Sequence, residues 1–178
     1  TGLPLFLEQG VTINQPTSNG LNCATCHADL TTFELRASET VKFPSGVTVS
    51  LAADENDEAG LKSNLCINCH QGRESTVSVN AALKDLEPNT VSDQIRFRNV
   101  HYFAAAATLF GTEVKGAYEY DGLEYLGRNE HVEEFNTCVE CHNAHALEVE
   151  YVECAECHEN VQKPEDLKAI RVSEIDFD

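Results

Sequence analysis

The sequence predicts a loop-rich chain with a few short helices, one small β-hairpin and little regular secondary structure. Three observations carry this. All eight cysteines fall in four Cys-x-x-Cys-His units: Cys23/Cys26/His27, Cys66/Cys69/His70, Cys138/Cys141/His142 and Cys154/Cys157/His158. The chain has 178 residues, which suits a single domain spanning 1–178. The units begin at positions 23, 66, 138 and 154, so they are spread over the chain at uneven intervals. Cys-x-x-Cys-His is the attachment signature of c-type haem: two thiols form thioethers to one porphyrin, and the adjacent histidine ligates its iron. The fold class expected is therefore a multihaem c-type cytochrome with four covalently attached haem c groups. Each haem has only about 45 residues to itself, too few for a conventional core around each, so the haems themselves must form much of it.

Other uses of the cysteines explain less. Two zinc sites of four thiolates each also assemble from four Cys-x-x-Cys pairs. A disulfide framework suits an oxidising compartment. Neither accounts for a histidine after every second cysteine, and a thioredoxin-like motif needs one pair, not four.

Composition excludes several classes. The formal net charge is -18, from 30 acidic and 12 basic side chains, which disfavours nucleic acid and anionic membranes as partners. Solubility is the plainest use of that charge. The acidic run 54–58 reads as a solvated loop, since it lacks the glycine and distal glutamate of an EF-hand. The most apolar run, 102–110, is too short to span a bilayer. The chain starts at Thr1 without an initiator methionine or a basic-then-apolar leader. This reads as a mature protein whose signal peptide has been removed. Haem attachment to such motifs takes place outside the cytoplasm, so an extracellular, secreted location is expected, with the periplasm as the alternative.

In chain order, residues 1–20 are rich in Gly, Pro, Asn and Thr and read as an extended segment. Residues 47–51 and 76–79 are short strand candidates. Residues 99–110 read as a helix, with Asn99 as N-cap, alanines inside and Gly111 just past its end. His101, Phe103, Leu109 and Phe110 would then pack on a haem face or edge. Residues 113–120 and 123–126 alternate around Asp121-Gly122, a hairpin signal. A second helix is expected from about Asn129 through His131 and Phe135 to the third motif. After Pro164 a short helix should give way to an acidic tail (164–178). No sequence repeat beyond the haem motifs is apparent. The third and fourth motifs start only 16 residues apart, so their haems must be neighbours.

The histidines set the ligation. Of seven, His27, His70, His142 and His158 are proximal, leaving His101, His131 and His145 as distal candidates. There is no methionine, so His/Met ligation is excluded and low-potential bis-His haems are expected. His145 lies three residues after His142, so one short segment could ligate two irons. Four irons need eight histidines for full bis-His ligation and the chain has seven. One iron is left five-coordinate or with a non-histidine ligand such as lysine, water or the Thr1 α-amino group. Arg73 and Arg128 lie close to haem or ligand segments, where they serve either as propionate partners or as surface charge.

The run Arg96-Phe-Arg-Asn-Val-His-Tyr-Phe-Ala-Ala-Ala-Ala-Thr-Leu-Phe-Gly111, followed by Val114-Lys-Gly-Ala-Tyr-Glu-Tyr120, resembles the tetrahaem subunits of OmcE-type extracellular cytochrome filaments (nanowires). Cys69-His-Gln-Gly-Arg73 and Cys141-His-Asn-Ala-His145 are similar to segments of the same family, and the resemblance covers most of residues 20–160. It implies haems stacked in alternating parallel and T-shaped pairs, and a head-to-tail homopolymer in which one distal histidine is supplied in trans. It also implies that His101, His131 and His145 are distal ligands. Contacts of that kind, when they do not close, give open filaments.

The function expected is electron transfer along closely packed haems, linking respiration to redox partners and extracellular acceptors, with no catalytic residue. Two alternatives share the haem chemistry: a discrete soluble periplasmic carrier, and a small-oxyanion reductase working at the under-ligated haem. The scarcity of cationic residues speaks against the reductase.

Overall fold

The computed structural model describes residues 20–87, 89–132 and 135–171. The segment expected to be extended lies outside these residues but for Gly20, as does the acidic end of the tail. The chain divides into two compact units, Thr1–Glu130 and His131–Asp178. In the first, helix α1 (Cys23–Cys26) precedes strands β1 (Val41–Lys42) and β2 (Thr48–Val49). Helices α2 (Glu58–His70), α3 (Thr76–Leu83) and α4 (Ala105–Phe110) follow, and α4 runs into a 3-10 turn (Gly111–Glu113). In the second unit are α5 (Cys138–Cys141), α6 (Tyr151–Cys154), a 3-10 turn (Pro164–Asp166) and α7 (Leu167–Arg171). Most of these elements are one or two turns long, joined by irregular chain: the loop-rich, multihaem-type architecture the motifs called for.

The first unit owns nearly all of the polypeptide core. Antiparallel β1 and β2 place Val41 opposite Val49, and the connecting turn is closed by Phe43 N–H donating to the Val47 carbonyl at 2.8 Å. Val41, Phe43, Ile67, Phe110 and Val114 are buried together with Ala106 and Ala107. Phe43 meets Phe110 edge-on, ring centres 5.6 Å apart. Asn64 of α2 ties the helix to the hairpin. Its Oδ1 accepts from Leu51 N–H (2.9 Å), and its Nδ2 donates to the Glu39 carbonyl (2.9 Å) and Ser50 Oγ (3.0 Å). A buried amide whose groups are this well paired is specific glue, because each lost partner would strand a polar group.

Helix α2 is the element the sequence hid. It starts inside the acidic run, where Asp57 caps it by accepting from Gly60 N–H at 2.9 Å. Hydrogen bonds from Gly60 and Ala53 hold the Asp57 carboxyl below its ordinary range. Glu58 follows in the first turn, favourably placed for the helix dipole. Gly60 is required here, since a Cβ would run into the Ala52 backbone. The second haem motif occupies the last turns of α2.

Four expectations need correction. Residues 76–79 are the start of helix α3, not a strand: Ser75 Oγ accepts from Ser78 N–H (3.1 Å) while Ser78 Oγ receives Ser75 N–H (2.8 Å), and this reciprocal cap overrides the β-branched alternation. The helix expected over 99–110 begins only at Ala105. Asn99 caps a local turn by accepting from His101 N–H at 3.2 Å, and Phe103 has a φ of 48°, which no right-handed helix admits. Its end is as expected: Gly111 sits past the last turn with φ 52°. The Asp121-Gly122 turn forms, but its flanks make no ladder, because Glu119 N–H goes to Thr76 Oγ1 (2.8 Å) and Thr112 N–H to the Leu126 carbonyl (3.1 Å). The small hairpin is instead β1–β2, overlapping the 47–51 candidate only at Thr48 and Val49. Residues 129–132 are not helical; Phe135 stands in 3-10 conformation with its N–H on the Val132 carbonyl at 2.8 Å, and α-helix follows at Cys138, while Glu133 and Glu134 are outside the described residues.

Candidate haem-attachment sites

The first motif is one helical turn followed by a sharp return. In α1, Cys23 and Cys26 stand three residues apart on one face, and His27 leaves the turn in extended conformation with its N–H on the Cys23 carbonyl at 2.9 Å. The chain then loops back so that His27 bridges Leu35. Ala28 N–H donates to the Glu34 carbonyl and Arg36 N–H to the Cys26 carbonyl, both at 2.8 Å. The loop is held by Asp29, whose Oδ1 accepts from Thr31 N–H (2.6 Å) and Thr32 N–H (2.9 Å). Those bonds, Thr32's foremost, lower the Asp29 carboxyl below its usual range. Phe33 takes a φ of 57°, and its carbonyl oxygen lies 2.7 Å from His27 Nδ1. A carbonyl can only accept, so the proton sits on Nδ1 and Nε2 keeps the lone pair that an iron needs.

The third motif repeats this plan. In α5, Cys138 and Cys141 share one turn, the Glu140 carboxylate accepts from Thr137 N–H at 2.7 Å, and His142 departs extended with its N–H on the Cys138 carbonyl at 2.9 Å. His142 bridges Val149; Asn143 N–H donates to the Glu148 carbonyl (2.8 Å) and Glu150 N–H to the Cys141 carbonyl (2.9 Å). Asn143 Oδ1 accepts from His145 N–H (3.0 Å) and Ala146 N–H (2.8 Å), as Asp29 does in the first loop. Leu147 has a φ of 58°, matching Phe33. The sequence therefore does repeat beyond the haem motifs. Phe33-Glu34-Leu35 corresponds to Leu147-Glu148-Val149, with the second loop one residue shorter. In each unit an open groove, about 570 Å³ in the first and about 530 Å³ in the second, runs past the residues after the loop: Leu35 and Arg36, or Val149 and Glu150. Both are in the size range of cofactor sites.

Each loop motif is joined by a second cysteine pair in its own unit. Burial raises the Cys26 thiol, and the nearby Cys66 adds to that. Cys69 is raised by burial and then by Cys26 and Cys66. In the second unit Cys141 is raised by burial and then by Cys154. The first and second cysteine pairs thus lie within electrostatic reach of each other, as do the third and fourth, where α5 and α6 also pack together. The second motif ends α2, where the His70 ring meets Phe103 edge-on at 5.2 Å. Phe103 packs on Tyr102 (4.5 Å), over which the Arg73 guanidinium lies at 4.2 Å. In the fourth motif α6 delivers Cys154, and His158 N–H closes on the Cys154 carbonyl at 2.8 Å.

The distal candidates fall in three settings. His101 is exposed, two residues before the Phe103 that packs on His70. His145 is exposed in the loop of the third motif. His131 lies near His158, ring centres 6.3 Å apart and tilted by 39°. Arg128 is committed elsewhere, bonded to Glu113 through two nitrogens (3.0 and 3.1 Å) and stacked on Phe110 at 4.4 Å. Arg36, which sequence reasoning overlooked, donates from Nε to the Ala24 carbonyl inside the first motif at 3.0 Å.

The residues fit covalent haem. The polypeptide leaves large apolar side chains uncovered around the motifs: Leu30 is 53% exposed, Phe33 60%, Phe103 50%, Leu147 64% and Val152 60%. Flat apolar macrocycles attached at the cysteines would cover such surface. Among the described residues no three His, Cys, Asp or Glu side chains converge to hold a metal ion. No described helix is long and apolar enough to cross a membrane.

Comparison with known proteins agrees. The chain is 34% identical over 117 residues, 59% of its length, to the C-type polyheme cytochrome OmcB of Geobacter sulfurreducens, in both strain DL-1/KN400 and strain PCA. The chain is related to polyhaem c-type cytochromes. It spans 14% of the length of those relatives. No protein-family model matches the chain, and no solved structure does.

Proposed function

We propose that this chain is an electron-transfer protein with four covalent haem c groups, polymerised head-to-tail into an extracellular filament. The observation that carries electron transfer is the pairing of the cysteine motifs, and the filament rests on the resemblance of residues 96–120 to OmcE-type subunits. Cys26 is within electrostatic reach of Cys66 and Cys69, and Cys141 of Cys154, on α5 and α6, which pack together. Neighbouring attachment is what short electron hops require. Haem supplies a one-electron iron couple when bound.

The chain's own residues do the rest. Cys23, Cys26, Cys66, Cys69, Cys138, Cys141, Cys154 and Cys157 fix the macrocycles, and His27, His70, His142 and His158 ligate from the proximal side. His101, His131 and His145 serve as distal ligands, within the subunit or across a subunit boundary. The Phe33 carbonyl orients His27 and makes its Nε2 a stronger donor, which favours the oxidised iron and a low potential. Arg73, three residues after His70 and lying over the Tyr102 ring, would meet a propionate. Redox partners and extracellular acceptors would be reached through the filament.

The polymer is tested by negative-stain microscopy of the secreted, haem-loaded protein across a dilution series. Filaments of repeating subunits are expected. Short discrete particles at every concentration would overturn the polymer and leave the soluble carrier.

A further inference from the structure

We infer that His131 is the sixth ligand of the iron whose proximal ligand is His158. This rests on the haem reading above and deepens it, since neither sequence nor similarity pairs a distal histidine with a particular haem. An imidazole nitrogen sits about 2 Å from a bound metal and about 1 Å from its own ring centre, so two histidines facing each other across one iron have ring centres about 6 Å apart. His131 and His158 are 6.3 Å apart. At 39° the rings are neither parallel for stacking nor perpendicular for edge-to-face packing, so ordinary aromatic contact does not explain the spacing.

Both sides of this pair are anchored independently. His158 is fixed by its N–H on the Cys154 carbonyl (2.8 Å), and its own carbonyl accepts from Val161 N–H (2.9 Å), with Val161 buried. His131 is held by its N–H on Asn136 Oδ1 (3.0 Å), and Phe135 lies against its ring at 6.4 Å and 79°. Both histidines belong to the second unit. The fourth haem is therefore ligated entirely within one subunit. The missing histidine, and any histidine borrowed from a neighbouring subunit, then concern one of the other three irons.

The test uses the holoprotein. Replacing His131→Ala should convert one low-spin haem in four to high spin by electron paramagnetic resonance, and added imidazole should restore it. A merely structural role would not be rescued by imidazole. His131→Met keeps a ligand in place and guards against simple misfolding. The chain has no other methionine, so a single methionine-ligated haem with a raised potential is the expected signature. In a Cys154→Ser/Cys157→Ser background, which removes the fourth attachment, neither substitution should change the remaining haems. An unchanged spin state in His131→Ala together with an unchanged potential in His131→Met would overturn the assignment, as would a response that persists in the Cys154/Cys157 background. A wild-type chain without haem by mass would overturn the assignment and the reading beneath it together, and is recognised before any variant is made.

Discussion

Replacing Cys138, Cys141, Cys154 and Cys157 together by alanine will unfold the second unit and leave most of the first standing. Among the described residues of the second unit, Val161 alone is a buried hydrophobic side chain. Its α-helices have four, four and five residues, far below the length at which a helix survives without tertiary support. On the proposed function, haem attached to its cysteines orders this unit, and its loss removes both the apolar core and the cross-links. The first unit has Val41, Phe43, Ile67, Phe110 and Val114 buried and a 13-residue helix running through them. Hydrogen exchange reads the outcome residue by residue: amides of 135–171 should lose protection, while those of α2, α4 and the β1–β2 pair keep theirs. Retained protection over 135–171 without haem would show that the polypeptide alone supports this unit.

Phe110→Ala will be the most damaging single substitution in the first unit. Phe110 is fully buried, meets Phe43 edge-on and carries the Arg128 guanidinium over its face. Truncating such a ring costs about 3–5 kcal/mol. The loss extends to the Arg128–Glu113 pair, which is oriented by the same ring. Val91, 99% exposed, is the control: Val91→Ala should change stability by less than about 0.5 kcal/mol. Denaturant unfolding of both variants, with haem content held equal, separates the two. Equal midpoints would contradict a polypeptide core centred on Phe110.

The candidate attachment sites were legible because Cys-x-x-Cys-His is a fixed local pattern that no fold can disguise. Much of the secondary structure was not. Helix α2 is the clearest case: its buried face is Gly60, Ser63, Asn64 and Ile67, so polar and small residues replace the apolar stripe that periodicity detects. Its start signal, Asp57, was hidden among other acids. Thr76-Val77-Ser78-Val79 alternates like a strand, yet Ser75 and Ser78 close a helix cap, and the cap prevailed. Asp121-Gly122 gave the turn correctly, but a turn does not pair its own flanks when Thr76 captures one of them.

The repeated loop escaped notice for a different reason. Asp29 and Asn143 perform the same capping at different distances from their histidines, so the two segments match only after a one-residue shift. The signal that could have found it is the shared apolar-Glu-apolar triplet at 33–35 and 147–149. The histidine count stated the ligand supply without its pairing. Only the folded second unit brings the His131 and His158 ring centres to 6.3 Å.

Intact mass of the secreted protein, followed by mass mapping of its haem-bearing peptides, is the most direct measurement. The expected result is the polypeptide plus four haem groups, one on each peptide containing 23/26, 66/69, 138/141 and 154/157. A colourless protein at the bare polypeptide mass, or cysteines bearing no tetrapyrrole, would contradict covalent haem attachment and the electron-transfer function built on it.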